Sequence, residues 1–255
     1  MKIRAAVLRE SGLPRPYSSS RPLSIEEVDL EAPREGEVLI QIKAVGLCHS
    51  DLVAISGERG KPMPIVIGHE AAGIIVEIGK NVNDFKVGNH VVPSYVASCG
   101  KCDMCKNGRP ELCEPATISN AKAVLLDGTT RLKKDGEIIH HHSGVAGFAE
   151  YAVLPKEALV KIDKHIPFEH AALFGCGVVT GVGAVLNTAN AREEDSVAIV
   201  GLGGVGLSAL LASLAVGSKK TIAIDLSDEK LALASELGAD HTLNPKDENF
   251  LEKIR

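Results

Sequence analysis

Short apolar runs separated by glycine and proline fill the chain up to about residue 170. The segments VLIQIKAVG, AAGIIVEIG and NHVVPSYV alternate or run apolar between turn signals, so we expect each to form a strand. The stretch from Cys99 to Gly147 is rich in Gly, Lys, Asn and Asp, and we predict loops there. Because so long a loop is uncommon in a compact domain, something other than a hydrophobic core is expected to order it.

From Ala171 the pattern changes to alternating helices and strands. SVAIVG, TIAIDLS and HTLN predict strands, and GVGAVLNTAN, GLSALLASLAVG, SDEKLALASELGA and ENFLEKIR predict helices. Ser227 is a plausible N-cap of the third helix, and Gly238 is its expected stop. This order is typical of a doubly wound parallel sheet. We therefore expect two domains, a mainly-β one over 1–175 and an α/β one over 176–255.

Composition and charge restrict the class of partner. Apolar residues make up 45% of the chain and charged residues 24%, which is ordinary for a soluble globular protein. A net charge of −5, few aromatic residues and no Trp argue against a nucleic-acid partner or an anionic membrane surface. The opening MKIRAAVLRESG lacks the apolar core of a signal peptide, and no apolar stretch is long enough to cross a bilayer. We expect a cytoplasmic protein, in which six cysteines favour metal ligation or reactive thiols over disulfides.

Four of the six cysteines lie in the single segment CGKCDMCKNGRPELC. Four thiolates on one loop suit a closed, tetrahedral structural zinc site, and zinc would also supply the ordering energy that this loop needs. The alternative is four unrelated cysteines in a polar loop. We predict a structural zinc held by Cys99, Cys102, Cys105 and Cys113.

The remaining cysteines, Cys48 and Cys176, form a second candidate set with His69 and its neighbour Glu70. Cys–His–Cys is a known ligand set of catalytic zinc, which keeps one position open for water or substrate. Such a zinc polarises an alcohol oxygen and lowers its pKa. Taken singly, each of these residues also fits a packing role.

The segment VAIVGLGGVGLSALL has the G-x-G-x-x-G spacing of a dinucleotide-binding turn in Gly201, Gly203 and Gly206. It lies between a predicted strand and a predicted helix, whose N-terminus would face the phosphates. Asp225 follows at the end of TIAID, where an acid accepts a hydrogen bond from the ribose and disfavours a second phosphate, so NAD is favoured over NADP. The alternative is a glycine-rich helix start without a ligand.

Together these motifs resemble the zinc-dependent medium-chain dehydrogenase/reductase family. GLCHSD, GHEAAG, the cysteine segment, GFAEYAV, FGCGVVTGVGAVLNTA and GLGGVG follow one another in the family's order. The resemblance is nearest to the alcohol dehydrogenase branch that includes glutathione-dependent formaldehyde dehydrogenase, because of FGCGVVTGVGA and DGTTRLKKDGEIIHHH. It implies a GroES-like β domain followed by a partial Rossmann domain, two zinc ions, NAD, and an alcohol or aldehyde substrate.

The resemblance also implies roles for single residues. Catalytic zinc would be bound by Cys48, His69 and Cys176, with Glu70 as an occasional or indirect ligand. Ser50 would take the substrate's hydroxyl proton, and His49 would face the cofactor pyrophosphate. The further expected cofactor contacts are Val178, Val179, Thr180, Gly201, Gly203, Gly204, Val205, Gly206 and Asp225.

Three departures from the family's pattern qualify these expectations. Val53 stands where some relatives have a proton-relay histidine, so a relay would use ribose hydroxyls and water. Glu150 matches a zinc ligand of polyol dehydrogenases and remains a reserve to Cys176. The chain ends after three strands of a Rossmann domain, without the strand that pairs subunits in the homo-oligomeric family, which indicates a truncated chain.

The tract His140, His141 and His142 is expected to be a solvated loop rather than a metal site.

We therefore predict a zinc-dependent alcohol dehydrogenase that transfers hydride to NAD. The alternative is a zinc- and nucleotide-binding remnant without activity of its own. A zinc-free quinone reductase of the same superfamily would lack these cysteines, and all six are present.

Overall fold

The chain folds into two units, which a computed structural model describes over residues 1–253. The first unit runs from Met1 to Cys176, and the second begins at Gly177. The strands of the first unit are β1 (Lys2–Leu8), β2 (Leu23–Leu30), β3 (Glu37–Gly46), β4 (Ile65–Val66), β5 (Glu70–Ile78), β6 (His90–Pro93), β7 (Leu132–Lys134), β8 (Glu137–His141), β9 (Tyr151–Pro155) and β10 (Leu159–Ile162).

Five of these strands close into a barrel, in the order β1-β2-β7-β8-β4. Strand β1 illustrates how a barrel strand packs. Its sequence KIRAAVL alternates, so that Ile3, Ala5 and Val7 are buried while the residues between them face outward. These three residues pack in one apolar cluster with Val28, Leu30 and Ile139 from other barrel strands, whereas Leu8 and Ile65 belong to a second cluster. The barrel is therefore filled by side chains.

The other five strands form a sheet in the order β10-β6-β5-β3-β9. Its long central pair, β3 and β5, is antiparallel and ends with Gly46 opposite Glu70. Val38, Ile40, Ile75 and Val91 are fully buried in the cluster beneath it. The strands predicted from VLIQIKAVG, AAGIIVEIG and NHVVPSYV are all present, as β3, β5 and β6.

Short helices and turns connect these strands. The α-helices of the first unit are α1 (Tyr17–Ser20), α2 (His49–Ser56), α3 (Asp103–Lys106), α4 (Glu114–Ala121) and α5 (Phe168–Ala171). Tighter 3₁₀ turns lie at Pro110–Leu112, His142–Gly144, Lys156–Ala158 and Ala172–Gly175.

The prediction of loops from Cys99 to Gly147 was wrong in part, because α3, α4 and the β7–β8 hairpin lie in this stretch. Asp135 and Gly136 join the two strands with φ values of 49° and 86°. Two positive φ values in a two-residue hairpin turn are typical of type I′, for which Asp-Gly is a preferred sequence. The strands themselves are too short to give a clear alternation.

The expectation that the three histidines form a solvated loop was also wrong. His141 and His142 are buried, with exposed fractions of 0% and 4%. The reason is that β8 pairs in parallel with β4, with His140 opposite Ile65 and His141 opposite Val66, so these two residues are part of the barrel wall. His142 follows in a 3₁₀ turn and is buried there. The ring of His141 accepts a hydrogen bond through Nε2 from the backbone N–H of Arg131 at 3.1 Å.

The second unit contains a parallel sheet of β11 (Ser196–Val200), β12 (Lys220–Ile224) and β13 (His241–Leu243), in that order. Its helices are α6 (Gly177–Gly183), which continues as a π-helix over Ala184–Ala189, α7 (Gly204–Val216), α8 (Asp228–Glu236) and α9 (Phe250–Lys253). Ser227 caps α8 as predicted, and Gly238 follows its end with φ 109°. The rest of the helix predicted from ENFLEKIR lies outside the described residues.

Over residues 1–253, no helix taken singly has the length and apolar character needed to cross a membrane. One bent pair, Phe168–Gly175 with Gly177–Ala189, meets the length and composition requirement only when its two members are combined.

Candidate zinc centres and nucleotide turn

The register of β3 and β5 brings two of the predicted zinc ligands together. Gly46 ends β3 directly opposite Glu70, the first residue of β5. Cys48 lies two residues beyond Gly46, and His69 lies one residue before Glu70, so both are at the same edge of the sheet. A Cβ atom on Gly46 would lie 2.5 Å from Glu70 Oε2, which shows how closely the two chain segments approach.

A second glycine places the third ligand. Cys176 follows the 3₁₀ turn Ala172–Gly175. A Cβ atom on Gly175 would lie 2.9 Å from the carbonyl oxygen of Pro93 and 3.5 Å from that of His69. Because position 175 has no side chain, the turn can approach β6 and His69 closely enough for Cys176 to join the cluster.

The resulting cluster has the dimensions of a zinc site. The Sγ atoms of Cys48 and Cys176 are 4.0 Å apart. Ligand atoms of these two residues, His69 and Glu70 all lie within 4.8 Å of one another. Zinc–sulfur bonds of about 2.3 Å in a tetrahedron require sulfur atoms roughly 3.8 Å apart. The residues present therefore fit a zinc ion with very little movement.

Asp51, which the sequence analysis did not single out, contacts the backbone and the His69 ring of this cluster. It is the third residue of α2 and is 1% exposed. Its Oδ2 accepts a hydrogen bond from the backbone N–H of Cys48, and its Oδ1 accepts one from Gly68, both at 3.0 Å. One carboxylate thus fixes the backbone next to Cys48 and next to His69. An acid in the first turn of a helix is the sequence signal that marks it.

Two imidazoles approach the same carboxylate. Nδ1 of His69 lies 3.3 Å and Nδ1 of His142 lies 3.1 Å from Asp51 Oδ1. Within the described residues neither contact has the alignment of a hydrogen bond, so both are close polar contacts. Burial alone would raise the pKa of Asp51, but His142, His69 and the N–H of Cys48 hold that pKa well below its usual range.

The same contacts act on His69. Its burial favours the neutral ring, but Asp51 and Cys176 outweigh burial and raise the pKa of His69 to about 10. Imidazole binds a metal in its neutral form, so zinc entering this cluster would displace a proton. With Nδ1 turned towards Asp51, Nε2 faces the two thiols, which is the arrangement in which a carboxylate orients a zinc-bound histidine.

A cavity of about 280 Å³ opens onto this cluster. Ser50 is in its wall, and its hydroxyl lies 3.2 Å from Cys48 Sγ and 3.3 Å from His69 Nε2. The edge of the Tyr95 ring faces His69, with ring centroids 6.0 Å apart. The complete lining is Ser50, Val53, Ala54, Arg59, Lys61, His69, Tyr95, His142, Ser143 and Cys176.

The four clustered cysteines also converge, around α3 and the turn at Pro110–Leu112. Their sulfur atoms lie within 4.8 Å of one another, and those of Cys102 and Cys113 are 4.0 Å apart. Backbone N–H groups of Cys99 and Cys102 point at the sulfurs of Cys113 and Cys99, both at 3.3 Å. These N–H groups suit negatively charged sulfur ligands. The geometry fits a closed four-thiolate site.

The thiols of this loop differ in acidity. Backbone N–H groups of Lys101 and Cys102 lower the pKa of Cys99 to about 6. Loss of solvent contact and the neighbouring sulfurs raise the pKa of Cys105 to about 12. Four thiolates at this spacing would repel one another, and a bound divalent cation would compensate that repulsion.

The glycine motif of the second unit forms the turn between β11 and α7. Gly201 has φ 92°, a backbone conformation that favours glycine. A Cβ atom on Gly206 would lie 1.8 Å from the carbonyl oxygen of Gly201, whereas one on Gly203 or Gly204 would meet nothing within 4 Å. Gly206 thus permits close packing of helix on turn, and Gly203 leaves open space at the N-terminus of α7.

The acid predicted to bind ribose lies beside this turn. Asp225 follows β12 and accepts hydrogen bonds from the backbone N–H of Leu202 at 2.7 Å and of Ser227 at 2.9 Å. These N–H groups hold the pKa of Asp225 below its usual value. The other predicted cofactor contacts lie in three helices. Val178, Val179 and Thr180 are in α6, Gly204 and Val205 are in α7, and His49 is exposed at the start of α2.

Glu150, the reserve zinc ligand, is not part of the cluster. Its carboxylate accepts hydrogen bonds from the side chain of Arg4 at 2.7 and 2.9 Å and from the backbone N–H of Arg4 at 2.9 Å. The register of β3 and β9 directs it away, because Tyr151 beside it pairs with Gln41, far along β3 from Gly46. Cys176, not Glu150, is therefore the residue that the structure brings to Cys48 and His69.

Comparison with known families gives two matches along the chain. Residues 34–164 match the family model described as alcohol dehydrogenase GroES-like domain. Residues 204–255 match the model described as zinc-binding dehydrogenase.

Curated relatives include S-(hydroxymethyl)glutathione dehydrogenases. The protein from Synechocystis sp. is 42% identical over 248 residues, which is 97% of this chain and 65% of that protein. A protein from Escherichia coli is 40% identical over the same shares. This chain thus spans about 65% of the length of these relatives.

Solved structures similar to this chain are also alcohol dehydrogenases by their descriptions. The zinc-binding alcohol dehydrogenase domain protein from Burkholderia ambifaria has a TM-score of 0.91 and 38% identity, covering 100% of this chain and 67% of its own. Benzyl alcohol dehydrogenase from Acinetobacter calcoaceticus has a TM-score of 0.89 and 35% identity, with the same coverage.

Proposed function

This chain belongs to the alcohol dehydrogenase family that has a GroES-like domain and a zinc-binding dehydrogenase domain, and from that premise we propose that it interconverts an alcohol and an aldehyde with NAD. The observation that carries the proposal is the convergence of Cys48, His69 and Cys176, of which His69 and Cys176 line a cavity. Three ligands facing open space are typical of a catalytic zinc site.

The two cysteine-bearing clusters would hold one zinc ion each. Zinc at the three-ligand cluster would supply Lewis acidity to an alcohol oxygen, and NAD would accept the hydride. Asp51 would keep His69 Nε2 aimed at the zinc through its contact with Nδ1. The four-cysteine loop would supply all four ligands of its zinc and would therefore have a structural role.

Ser50 is the group placed to receive a proton. Its hydroxyl lies in the cavity wall and within 3.3 Å of ligand atoms of both Cys48 and His69. It can therefore accept a hydrogen bond from an alcohol bound beside them. Val53, one turn further along α2, cannot pass the proton on, so the next acceptor would be water or the cofactor's ribose.

The glycine turn would bind the cofactor's phosphates. Gly203 leaves room for them at the N-terminus of α7, where the backbone N–H groups of the first turn are available. Asp225, fixed by Leu202 and Ser227, would accept a hydrogen bond from the ribose. A carboxylate there disfavours NADP. Six free cysteines also suit a reducing, cytoplasmic location.

The first test is zinc per chain by elemental analysis, together with NADH formation in the presence of a primary alcohol. We expect two zinc ions in the unchanged chain, one in Cys48→Ala and one in Cys105→Ala, with NADH formation lost in Cys48→Ala. Ser20→Ala, far from both clusters in the sequence and in a helix without buried residues, is the matched control. Full turnover by Cys48→Ala would contradict the proposal.

A second candidate function is zinc and nucleotide binding without turnover. The observation that favours it is that both candidate zinc clusters and the glycine turn, which would suffice for binding, lie within the described residues. Two zinc ions and NADH binding without alcohol-dependent NADH formation would support this second function over the first.

A further inference from the structure

Two cations line the cavity above the three-ligand cluster, and no acid lines it. Arg59 and Lys61 lie in the segment between α2 and β4, and the other lining residues are neutral or histidine or cysteine. Neither cation has a carboxylate within 4.0 Å anywhere in the part of the chain that the structure describes. The cavity therefore presents uncompensated positive charge to whatever enters it.

Lys61 is held in this position by the fold. Its side chain is half-buried, and its ammonium donates a hydrogen bond to the carbonyl oxygen of Asn120 at 3.0 Å. Asn120 belongs to α4 and is itself held, since its amide donates to the carbonyl oxygen of Tyr95 at 2.7 Å. Burial, and then the nearby Arg59, lower the pKa of Lys61. An ammonium with three donors, partly removed from water, favours an anion as its next partner.

Several other cations of the first unit are paired with acids. Arg9 is paired with Glu26, Lys133 with Glu31, and Lys134 with Glu26, all within 2.9 Å. Arg59 and Lys61 have no such pair among the described residues, and they line a cavity whose other lining residues include no acid. A guanidinium offers a planar pair of donors that matches a carboxylate, and an ammonium beside it adds a third.

We propose that the alcohol or aldehyde substrate of this protein carries a carboxylate, which is bound by Arg59 and Lys61 while its oxygen lies at the Cys48–His69–Cys176 cluster. This inference rests on the proposed alcohol dehydrogenase function and narrows its substrate class. The cavity volume of about 280 Å³ is near the lower end for ligand sites, which favours a compact acid.

The test compares ligands of one shape that differ in charge. Binding of para-(hydroxymethyl)benzoate, its neutral amide and benzyl alcohol is measured by calorimetry on the zinc-loaded chain with NADH present. We expect the carboxylate to bind about tenfold or more tightly than the amide, the ratio that one charge-assisted hydrogen bond provides. Arg59→Met and Lys61→Met should each reduce that ratio towards one. Arg59→Lys, which keeps the charge but loses the planar pair of donors, should give an intermediate ratio.

Matched controls are Arg192→Met and Lys164→Met, two exposed cations outside the cavity, which should leave the ratio unchanged. A second readout is the pKa of Lys61 followed by NMR, which should rise when the carboxylate is added and not when the amide is added. A ratio near one in the unchanged chain overturns the inference. So does a ratio that survives both Met variants, or a failure of the carboxylate to bind.

The outcome is separable from that of the proposed function, because zinc content and NADH formation are measured on the same samples. Turnover of benzyl alcohol without any charge preference would leave the dehydrogenase function standing and reject the carboxylate. Charge-dependent binding in a chain without turnover would support the carboxylate site and reject the dehydrogenase function. S-Methylglutathione as a competitor distinguishes the source of the carboxylate: displacement that depends on Arg59 assigns it to glutathione adducts, and no displacement assigns it to smaller acids.

Discussion

Asp51 has one carboxylate and four polar neighbours. The backbone N–H groups of Cys48 and Gly68 donate to it, and the rings of His69 and His142 contact it. Since Asp51 is buried, water cannot replace any partner that a substitution removes. The residue thus affects both the start of α2 and the orientation of a candidate zinc ligand.

We predict that Asp51→Asn weakens zinc binding at the Cys48–His69–Cys176 cluster by about 10- to 100-fold. The amide keeps an acceptor for one N–H group but loses the charge that orients His69. Zinc affinity is measured by competition with a chromophoric chelator.

The four-cysteine site is an internal reference in this experiment, because its zinc should be released as before. Asp84→Asn, with an exposed carboxylate that pairs with Lys156 at 3.5 Å, is the external control. Equal zinc affinity in Asp51→Asn and the unchanged chain would show that Asp51 does not orient His69.

His141 makes the stability of the first unit depend on pH. Burial, followed by the nearby Arg131 and His140, lowers its pKa from 6.5 to about 3. Between these two values the unfolded chain binds a proton that the folded chain does not. The free energy of unfolding should therefore fall as the pH decreases through this window, by up to about 1.4 kcal/mol per pH unit.

The measurement is urea unfolding from pH 7 to pH 5 of the unchanged chain and of His141→Gln. Gln retains an acceptor for the N–H of Arg131 and does not titrate, so we expect a flatter pH profile. His170→Gln, at an exposed histidine, should keep the original slope. Parallel profiles for the unchanged chain and His141→Gln would contradict the prediction and remove His141 as a source of the pH dependence.

In the turn between β11 and α7, Gly206 permits close packing of the backbone, whereas Gly203 leaves open space for a ligand. Gly206→Ala would place a methyl group 1.8 Å from a backbone oxygen that cannot rotate away. We expect it to lower the free energy of unfolding by about 1–3 kcal/mol. Gly203→Ala meets open space at φ −79°, so stability should be retained while NADH binding weakens.

Urea unfolding and fluorescence titration with NADH measure the two effects separately. Gly204→Ala, also facing open space, tests whether any methyl group at the helix start has the same consequence. Unchanged NADH affinity in Gly203→Ala would mean that phosphate does not approach this part of the turn.

Features that depend on neighbouring residues could be predicted from the sequence. The strand–glycine–helix order around Gly201 and the cap of α8 at Ser227 are local, and the structure has both. The four-cysteine cluster spans few residues, so its convergence follows from its spacing. In each case the periodicity and the special residues indicate the same element.

Features that depend on distant residues were missed. The contact of Asp51 with His142 joins two segments that no local pattern connects. The same is true of the buried Arg131, which donates to Glu37 at 2.9 Å across a sequence separation of 94 residues. From the sequence, His141 and His142 are predicted to be solvated because the pairing of β8 with β4, which places His141 in the barrel, involves only two residue pairs. The turn that buries His142 follows directly after this pairing. Closing the barrel determines these contacts, and its register is a property of the whole chain.

The spacing of the two metal clusters has a consequence during synthesis. All four sulfurs between Cys99 and Cys113 emerge from the ribosome within a short interval, so that loop can take up zinc early. The other cluster needs Cys176, which is made 63 residues after Cys113. At about 5–20 residues per second this delay lasts roughly 3–13 s. During that time Cys48 and His69 are an incomplete ligand set on the nascent chain, whereas the four-cysteine loop is already complete and available to zinc.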